Sequence, residues 1–431
     1  MFLRLVLTIR FFGEIVRDLA GTLRGRWRTF HARAVRGEEI ATVGIDIYPF
    51  YERMTGVGWY EWNLLAALDR HNGGLKYNLY AKTFLAPDEP PPPNMPGRRN
   101  MRLRVHQLPA GFLLPIRPTL AVLRRVVEPL LRTFDGNHAL FAPNFFLHED
   151  QEPFGSAQVA TVHDLAFVAM PETVSPETLE ELRLNLPRTL YRADRLIAVS
   201  DATAGELVDL LGFNPREVST IHEGVDPGFA AGDNTLVPDE VPERYLLFVS
   251  TLEPRKNVTG ILQAFRLLVE WGYPGDLMLV GRWGWRTEGI RSELESSPVR
   301  DRVRHLDYVN RHKLTALYSH ADALIFPSWI EGFGLPLLES MACGTPVVTS
   351  GTSAMPEIAG PAAVYVDPAS PHGIASATAA LLADPDHRER LVELGRERAS
   401  RFRWDKAAQA TAVVLRQAAG LHTDEDDEYR A

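Results

Sequence analysis

Ala323-Leu324-Ile325-Phe326-Pro327-Ser328-Trp329-Ile330-Glu331-Gly332-Phe333-Gly334-Leu335-Pro336-Leu337-Leu338-Glu339-Ser340-Met341-Ala342-Cys343-Gly344-Thr345-Pro346-Val347-Val348 reads as strand, glycine loop, helix and the start of a second strand. The apolar run Ala323 to Phe326 is short enough for a strand buried on both faces. Gly332 and Gly334 permit close backbone approach in the loop. Pro336 suits a first helical turn and Gly344 suits its end. This succession is the unit of a doubly wound parallel sheet, whose ligands lie at the carboxyl ends of its strands.

The same stretch carries the chemistry. Free amides at the helix N-terminus predict an anion site that holds a diphosphate without a metal. Glu339 falls in the first turns, where a carboxylate accepts both hydroxyls of a ribose, and Glu331 stands before the helix, toward a sugar hydroxyl. Alone, two glutamates at this spacing are most often solvated helix charges; the strand, the glycines and the small-residue ending change that balance.

Outward from this unit the alternation continues. Tyr245 to Ser250, Asp276 to Val280, Val303 to Leu306, Pro346 to Thr349 and Ala363 to Val366 are predicted strands separated mostly by helical stretches. An earlier series comprises Thr42 to Tyr48, Tyr77 to Ala81, Leu103 to Gln107, Ala139 to Ala142, Gln158 to His163 and Arg195 to Val199, with Gly56 to Asp69 opening on glycines and continuing as a helix. Alternation of this kind predicts parallel sheets covered by helices. The Pro- and acid-rich segment 237–244 reads as the linker between residues 41–236 and 245–403. Residues 88–96, with consecutive prolines at 90–93, read as an exposed loop. A helix over 404–420 and an acidic tail over 421–431 complete the chain.

Composition bounds the alternatives. A chain of 431 residues with 45% hydrophobic and 23% charged residues suits two globular α/β domains. The single Cys343 makes no internal disulfide and no cysteine-based zinc site, so a cytoplasmic home is the simplest expectation. A formal charge of −9 opposes general nucleic-acid binding. Residues 1–40 differ: Leu5, Ile9, Phe12, Val16, Leu19, Leu23, Trp27 and Phe30 recur at helical spacing, with Arg4, Arg10, Arg17, Arg24, Arg26 and Arg28 on other faces. That pattern suits an anionic membrane surface contacted through residues 1–36. It also suits an ordinary packed helix or a disordered extension, since Gly13, Gly21 and Gly25 weaken a helix. No run approaches the roughly 20 apolar residues that span a bilayer. Gly-x-Ser-x-Gly and Walker-type sequences are absent, which sets aside serine-hydrolase and P-loop readings.

The Glu331 to Glu339 segment resembles the Glu-x7-Glu signature of retaining glycosyltransferases with the GT-B fold, in the large family that includes many bacterial mannosyl- and glucosyltransferases. Val249-Ser250-Thr251-Leu252-Glu253-Pro254-Arg255-Lys256-Asn257 resembles its basic loop, and Gly56-Val57-Gly58-Trp59-Tyr60 its first glycine loop. Thr161-Val162-His163-Asp164, Ala198-Val199-Ser200-Asp201-Ala202-Thr203 and Ile221-His222-Glu223-Gly224-Val225-Asp226 resemble further landmarks in the expected order.

The resemblance covers roughly residues 41 to 420. It implies two Rossmann-like domains facing across a cleft, with Phe402-Arg403-Trp404-Asp405 beginning a helix that crosses back to the first. It implies transfer of a hexosyl group with retention, from a nucleoside-diphosphate sugar (GDP-mannose or a UDP-sugar, no metal) to a saccharide or lipid-linked acceptor. His163, Glu331, Lys256 and Arg255 are the implied catalytic residues. Gly56, Gly58, Gly332, Phe333, Gly334, Leu335 and Glu339 are the implied donor-binding ones. Many relatives carry an arginine five positions before the lysine; here that position is Thr251, so Arg255 either replaces it or shares its task with Lys256. A nucleotide-sugar epimerase on the same fold and a catalytically silent sugar-nucleotide-binding or membrane scaffold are the rival readings. The sequence leaves the oligomeric state open.

Overall fold

A computed structural model describes residues 40–47, 50, 56–71, 73–80, 99–104, 135–145, 156–229 and 241–421 of the chain. Two mostly parallel sheets organise it. The first has the order β3-β2-β1-β4-β5-β6-β7, with β1 (Ala41–Asp46), β2 (Leu75–Tyr80), β3 (Met101–Arg104), β4 (Ala139–Ala142), β5 (Ala157–Val162), β6 (Arg195–Ala198) and β7 (Val218–Thr220). The second has the order β10-β9-β8-β11-β12-β13, from β8 (Tyr245–Val249), β9 (Asp276–Val280), β10 (Val303–Leu306), β11 (Ala323–Phe326), β12 (Val347–Ser350) and β13 (Ala363–Val366), every pair parallel.

The central strands of each sheet read as predicted because parallel strands between helix layers are apolar on both faces. All four residues of β4 and of β11 are buried. The order of each sheet reverses beside its first strand, between β1 and β4 and between β8 and β11. There the connections leave the sheet on opposite faces and open a crevice at the strand ends.

The helices in chain order are α1 (Gly56–Arg70), α2 (Ala166–Ala169), α3 (Pro176–Arg192), α4 (Asp201–Leu211), α5 (Val258–Glu270), α6 (Glu288–Ser296), α7 (Arg311–His320), α8 (Leu335–Cys343), α9 (Met355–Ala359), α10 (Pro371–Ala383), α11 (Pro385–Ser400) and α12 (Trp404–Ala418). Local chemistry sets their ends. Ser200 caps α4 by accepting the Thr203 amide at 3.1 Å, and Gly212 ends it in the left-handed region at φ 71°. Gly334 and Gly344 bound α8 with φ of 99° and 81°, a conformation that suits glycine.

Compactness divides the chain into two units, Met1–Thr161 with Leu184–Ile197 and Ala408–Ala431, and Val162–Arg183 with Ala198–Ala407. The first unit holds β1 to β4 and α1. The second holds the whole second sheet, α4 and the residue that follows β5, His163.

Most expectations shift by one or two residues at strand ends; of the expected Leu103 to Gln107, only 103 and 104 fall in β3 (Met101–Arg104) and 105–107 lie outside the described residues, and Val218–Thr220 is a strand that the apolar pattern does not show. The amphipathic segment at 1–39, the loop at 88–96, part of the linker and the acidic tail lie outside the described residues. Among the described residues no helix is long and apolar enough to cross a membrane.

Candidate active site

At the end of β11 the chain turns through Pro327 to Gly334 into α8, and the packing of this loop requires glycine at 332. A Cβ on Gly332 would stand 1.5 Å from the His163 carbonyl oxygen and 3.1 Å from the Asp164 Cβ. Only a hydrogen fits there. The loop after β5 thus lies directly on the loop after β11, and the Thr203 hydroxyl adds a 3.3 Å hydrogen bond to the Gly332 carbonyl.

Glu331, beside it, is 6% exposed. The Lys256 ammonium donates to both of its carboxylate oxygens, at 2.5 and 2.7 Å, and Arg255 Nη1 donates to Oε2 at 3.2 Å. Burial alone would raise the Glu331 carboxyl, but these two cations hold it below its ordinary value. Arg255 also bonds Glu253 through Nε at 3.1 Å and the Ile330 carbonyl at 3.1 Å, and lies 3.6 Å from Asp164. Burial works against the Arg255 charge, yet Glu331, Asp164 and Glu253 together raise it. The Glu253 carboxyl is raised in turn, by burial above all, with Arg255 and Lys256 pulling the other way. Three carboxylates, Glu331, Glu253 and Asp164, thus share two cations.

The basic loop is set by its own backbone. Pro254–Lys256 form one 3-10 turn, closed by Asn257 at φ 56°, and the Asn257 amide donates to the carbonyls of Pro327 and Pro368 at 3.2 and 2.8 Å. That side chain ties the loop after β8 to the loop after β11, which brings Lys256 under Glu331.

At the start of α8, the amides of Phe333, Gly334 and Leu335 donate to no group among the described residues. Pro336 has no N–H to leave unpaired. Three such amides in sequence, at the positive end of a helix, form a cradle for an oxyanion. The Phe333 ring is buried and faces His222 and Phe402, with ring centres at 6.1 and 5.9 Å, which leaves its amide as the polar group at this position.

Glu339 lies on α8 one turn further, half-buried. The Tyr318 hydroxyl donates to its Oε2 at 2.8 Å. Burial raises the Glu339 carboxyl to about 7, against the lowering effect of Tyr318 and Arg311 and with Asp226 and Glu223 adding to the rise. His163 is 8% exposed, with Nδ1 3.7 Å from Glu223 Oε1.

The structure therefore brings His163, Arg255, Lys256, Glu331 and Gly332 into one connected cluster, with Phe333, Gly334, Leu335 and Glu339 following on the same loop and helix. Gly56 and Gly58 form the first turn of α1 in the other compact unit; no neighbour lies within 4 Å of a Cβ placed on Gly56. Glu253, Tyr318 and Glu223 complete the electrostatics and were visible in the sequence only as parts of motifs or helices.

The family model of the glycosyl transferases group 1 matches residues 238–398, and that of glycosyltransferase family 4 matches residues 54–229. The O-antigen chain mannosyltransferase B of Escherichia coli is 30% identical over 285 residues, covering 62% of this chain and 71% of that one. This chain belongs to the group 1 glycosyltransferases. As a member of that family it is an enzyme of the hexosyltransferase class, and its two parallel sheets are the Rossmann-like halves of the GT-B fold.

Solved structures agree at the level of the fold of this group 1 glycosyltransferase. Sucrose-phosphate synthase of Thermosynechococcus elongatus superposes with a TM-score of 0.67 at 21% identity, over 88% of this chain and 98% of that one. HepE of Anabaena, solved with UDP and glucose, gives 0.61 at 16% identity over 87% and 99%.

Proposed function

We propose that this glycosyltransferase moves a hexosyl group, with mannosyl the first to test, from a nucleoside-diphosphate sugar to a saccharide or lipid-linked acceptor with retention at the anomeric carbon. The observation that carries the reading is the succession on one loop of Glu331 held by Lys256 and Arg255, three unbonded amides, and Glu339 one turn into α8.

In this reading the amides of Phe333, Gly334 and Leu335 receive the diphosphate, and Glu339 accepts the ribose hydroxyls. Lys256 and Arg255 exchange part of their contact with Glu331 for the phosphate oxygens on which charge develops. The bond from the anomeric carbon to the diphosphate breaks with its electron pair leaving on the phosphate. The acceptor oxygen forms its bond on the same face, and its proton ends on the departing diphosphate or on solvent. Glu331 and His163 face the transferred sugar, and Gly56 and Gly58 offer backbone amides from residues 41–236, the acceptor half. Residues 245–403 are the donor half, joined through 237–244, with 404–420 returning to the first. The mannosyl preference rests on the Thr251 to Asn257 loop and on the similarity to a mannosyltransferase. A lipid-linked acceptor fits the basic pattern of residues 1–36, and polysaccharide assembly fits the same relative.

Calorimetric titration with UDP, GDP and their sugars, from pH 6 to 8, checks this reading. One nucleotide binds, and its affinity rises as the pH passes about 7, because only ionised Glu339 accepts two hydroxyls at once. The effect on folding has the opposite sign. A carboxyl raised from 4.5 to about 7 lends its stability below 4.5 and loses it as the pH climbs to 7. Glu339→Gln flattens the pH dependence and weakens binding. Absence of binding by every nucleotide at millimolar concentration favours the silent scaffold.

A further inference from the structure

Outside this cluster, Glu357 on α9 makes contacts that a surface glutamate does not. Its Oε1 accepts the Asp201 amide at 2.8 Å and faces His222 Nε2 at 2.5 Å, and its Oε2 accepts the Ala202 amide at 3.0 Å. A carboxylate more than 150 positions along the chain thus occupies the anion position at the start of α4. Burial works against its charge, but the His222 hydrogen bond and the two amides hold its carboxyl below the ordinary value.

The contacts on either side close a circuit. One residue into α4 from Ala202, the Thr203 hydroxyl donates to the Gly332 carbonyl at 3.3 Å. The His222 ring packs near Phe333. From the segment that leads into α9, the Ser353 hydroxyl donates to the Glu331 carbonyl at 2.6 Å and accepts the Glu331 amide at 3.3 Å. Glu331 and Gly332 are therefore held from two sides, by α9's approach and by α4, and Glu357 is the side chain that fastens α9 to α4.

We propose that Glu357 is a positioning residue: by bridging the start of α4 and His222 it fixes the backbone of Glu331 and Gly332, and with it the three amides that receive the donor's diphosphate. Asp201, His222 and Glu357 present ligand atoms within 4.8 Å of one another, the types that also bind metals. Here both Glu357 oxygens already accept N–H donors and Asp201 joins through its main chain, so the arrangement is that of a carboxylate held by donors. This inference rests on the proposed donor site for its functional part; its structural part stands without it.

The test uses hydrogen exchange of the full-length, ligand-free protein, followed by nucleotide titration. Glu357→Gln sets an amide NH2 against backbone donors. It is expected to speed exchange about tenfold in 201–204 and in 330–338, whose bonded amides include Glu331 and Leu337, with β8 and β9 unchanged. Thr203→Val speeds 330–338 more than 201–204, where the Ser200 cap loses its 3.1 Å bond to the Thr203 hydroxyl but still accepts the residue 203 amide, and Thr203→Ser restores the loop. Nucleoside-diphosphate affinity falls about tenfold in Glu357→Gln and in Thr203→Val, and the double variant loses less than the product of the two, as coupled positions do. Faster exchange confined to 201–204 in Glu357→Gln makes Glu357 a local helix cap and overturns the proposal. A wild-type protein that binds no nucleotide while the loop still loosens in Glu357→Gln defeats the donor reading and leaves the positioning role standing.

Discussion

Gly332→Ala is expected to be the most damaging glycine-to-alanine change among the described residues. The new Cβ would meet a backbone oxygen at 1.5 Å, and no rotamer change relieves a clash with main chain. Either the loop after β5 or the loop before α8 must move, at a cost of about 3 kcal/mol or more, the upper end for overpacking. Movement of either loop separates Glu331 and the three amides from His163. Nucleotide binding is lost together with several degrees of melting temperature.

Two other glycines give the scale. Gly334→Ala meets only the Leu337 side chain at 3.5 Å and carries the strain of φ 99°, so its melting temperature falls less. Gly289→Ala, on α6 with nothing within 4 Å, leaves the melting temperature at or slightly above wild type, as expected of alanine in an exposed helix. Scanning calorimetry of the three variants checks the order.

Lys256→Ala is expected to have the second largest effect, on stability and on turnover together. It leaves Glu331 buried with Arg255 at 3.2 Å as its remaining cation. Removing one partner of a buried ion pair costs about 3–5 kcal/mol, and Arg255 places this case toward the lower bound. Donor turnover falls by about 100- to 1000-fold, the usual consequence of losing one preorganised group from developing charge. Lys256→Met combined with Glu331→Gln removes both charges and is expected to regain most of the stability and none of the turnover. Chemical denaturation and assay of released nucleoside diphosphate separate the two effects. Equal loss of stability in the single and double variants would contradict the ion-pair account.

Much of this was legible in the sequence because buried parallel strands announce themselves as apolar runs. Asp276–Val280 and Ala323–Phe326 begin and end where the pattern predicts. Val218–Thr220 was not, since three half-buried residues with two hydroxyls carry no such pattern. Predicted Pro346 to Thr349 became Val347–Ser350, because proline has no N–H for the ladder.

The candidate site divides the same way. Local spacing placed Glu331, the glycines and Glu339 on one loop and helix, and family resemblance added Lys256, Arg255 and His163. What spacing does not carry is pairing across distance. Lys256 meets Glu331 across 75 positions and Glu357 meets His222 across 135. The reason for Gly332 is likewise a carbonyl from another loop, invisible until β5 and β11 have taken their places.

The measurement that tests the central claim most directly is proton NMR of a sugar nucleotide incubated with the purified enzyme, with water standing in for the acceptor. The account predicts release of nucleoside diphosphate and first appearance of the free sugar in the anomeric configuration it had in the donor, before mutarotation mixes the two. Release of the opposite anomer first, or no release from any UDP- or GDP-sugar, would contradict it.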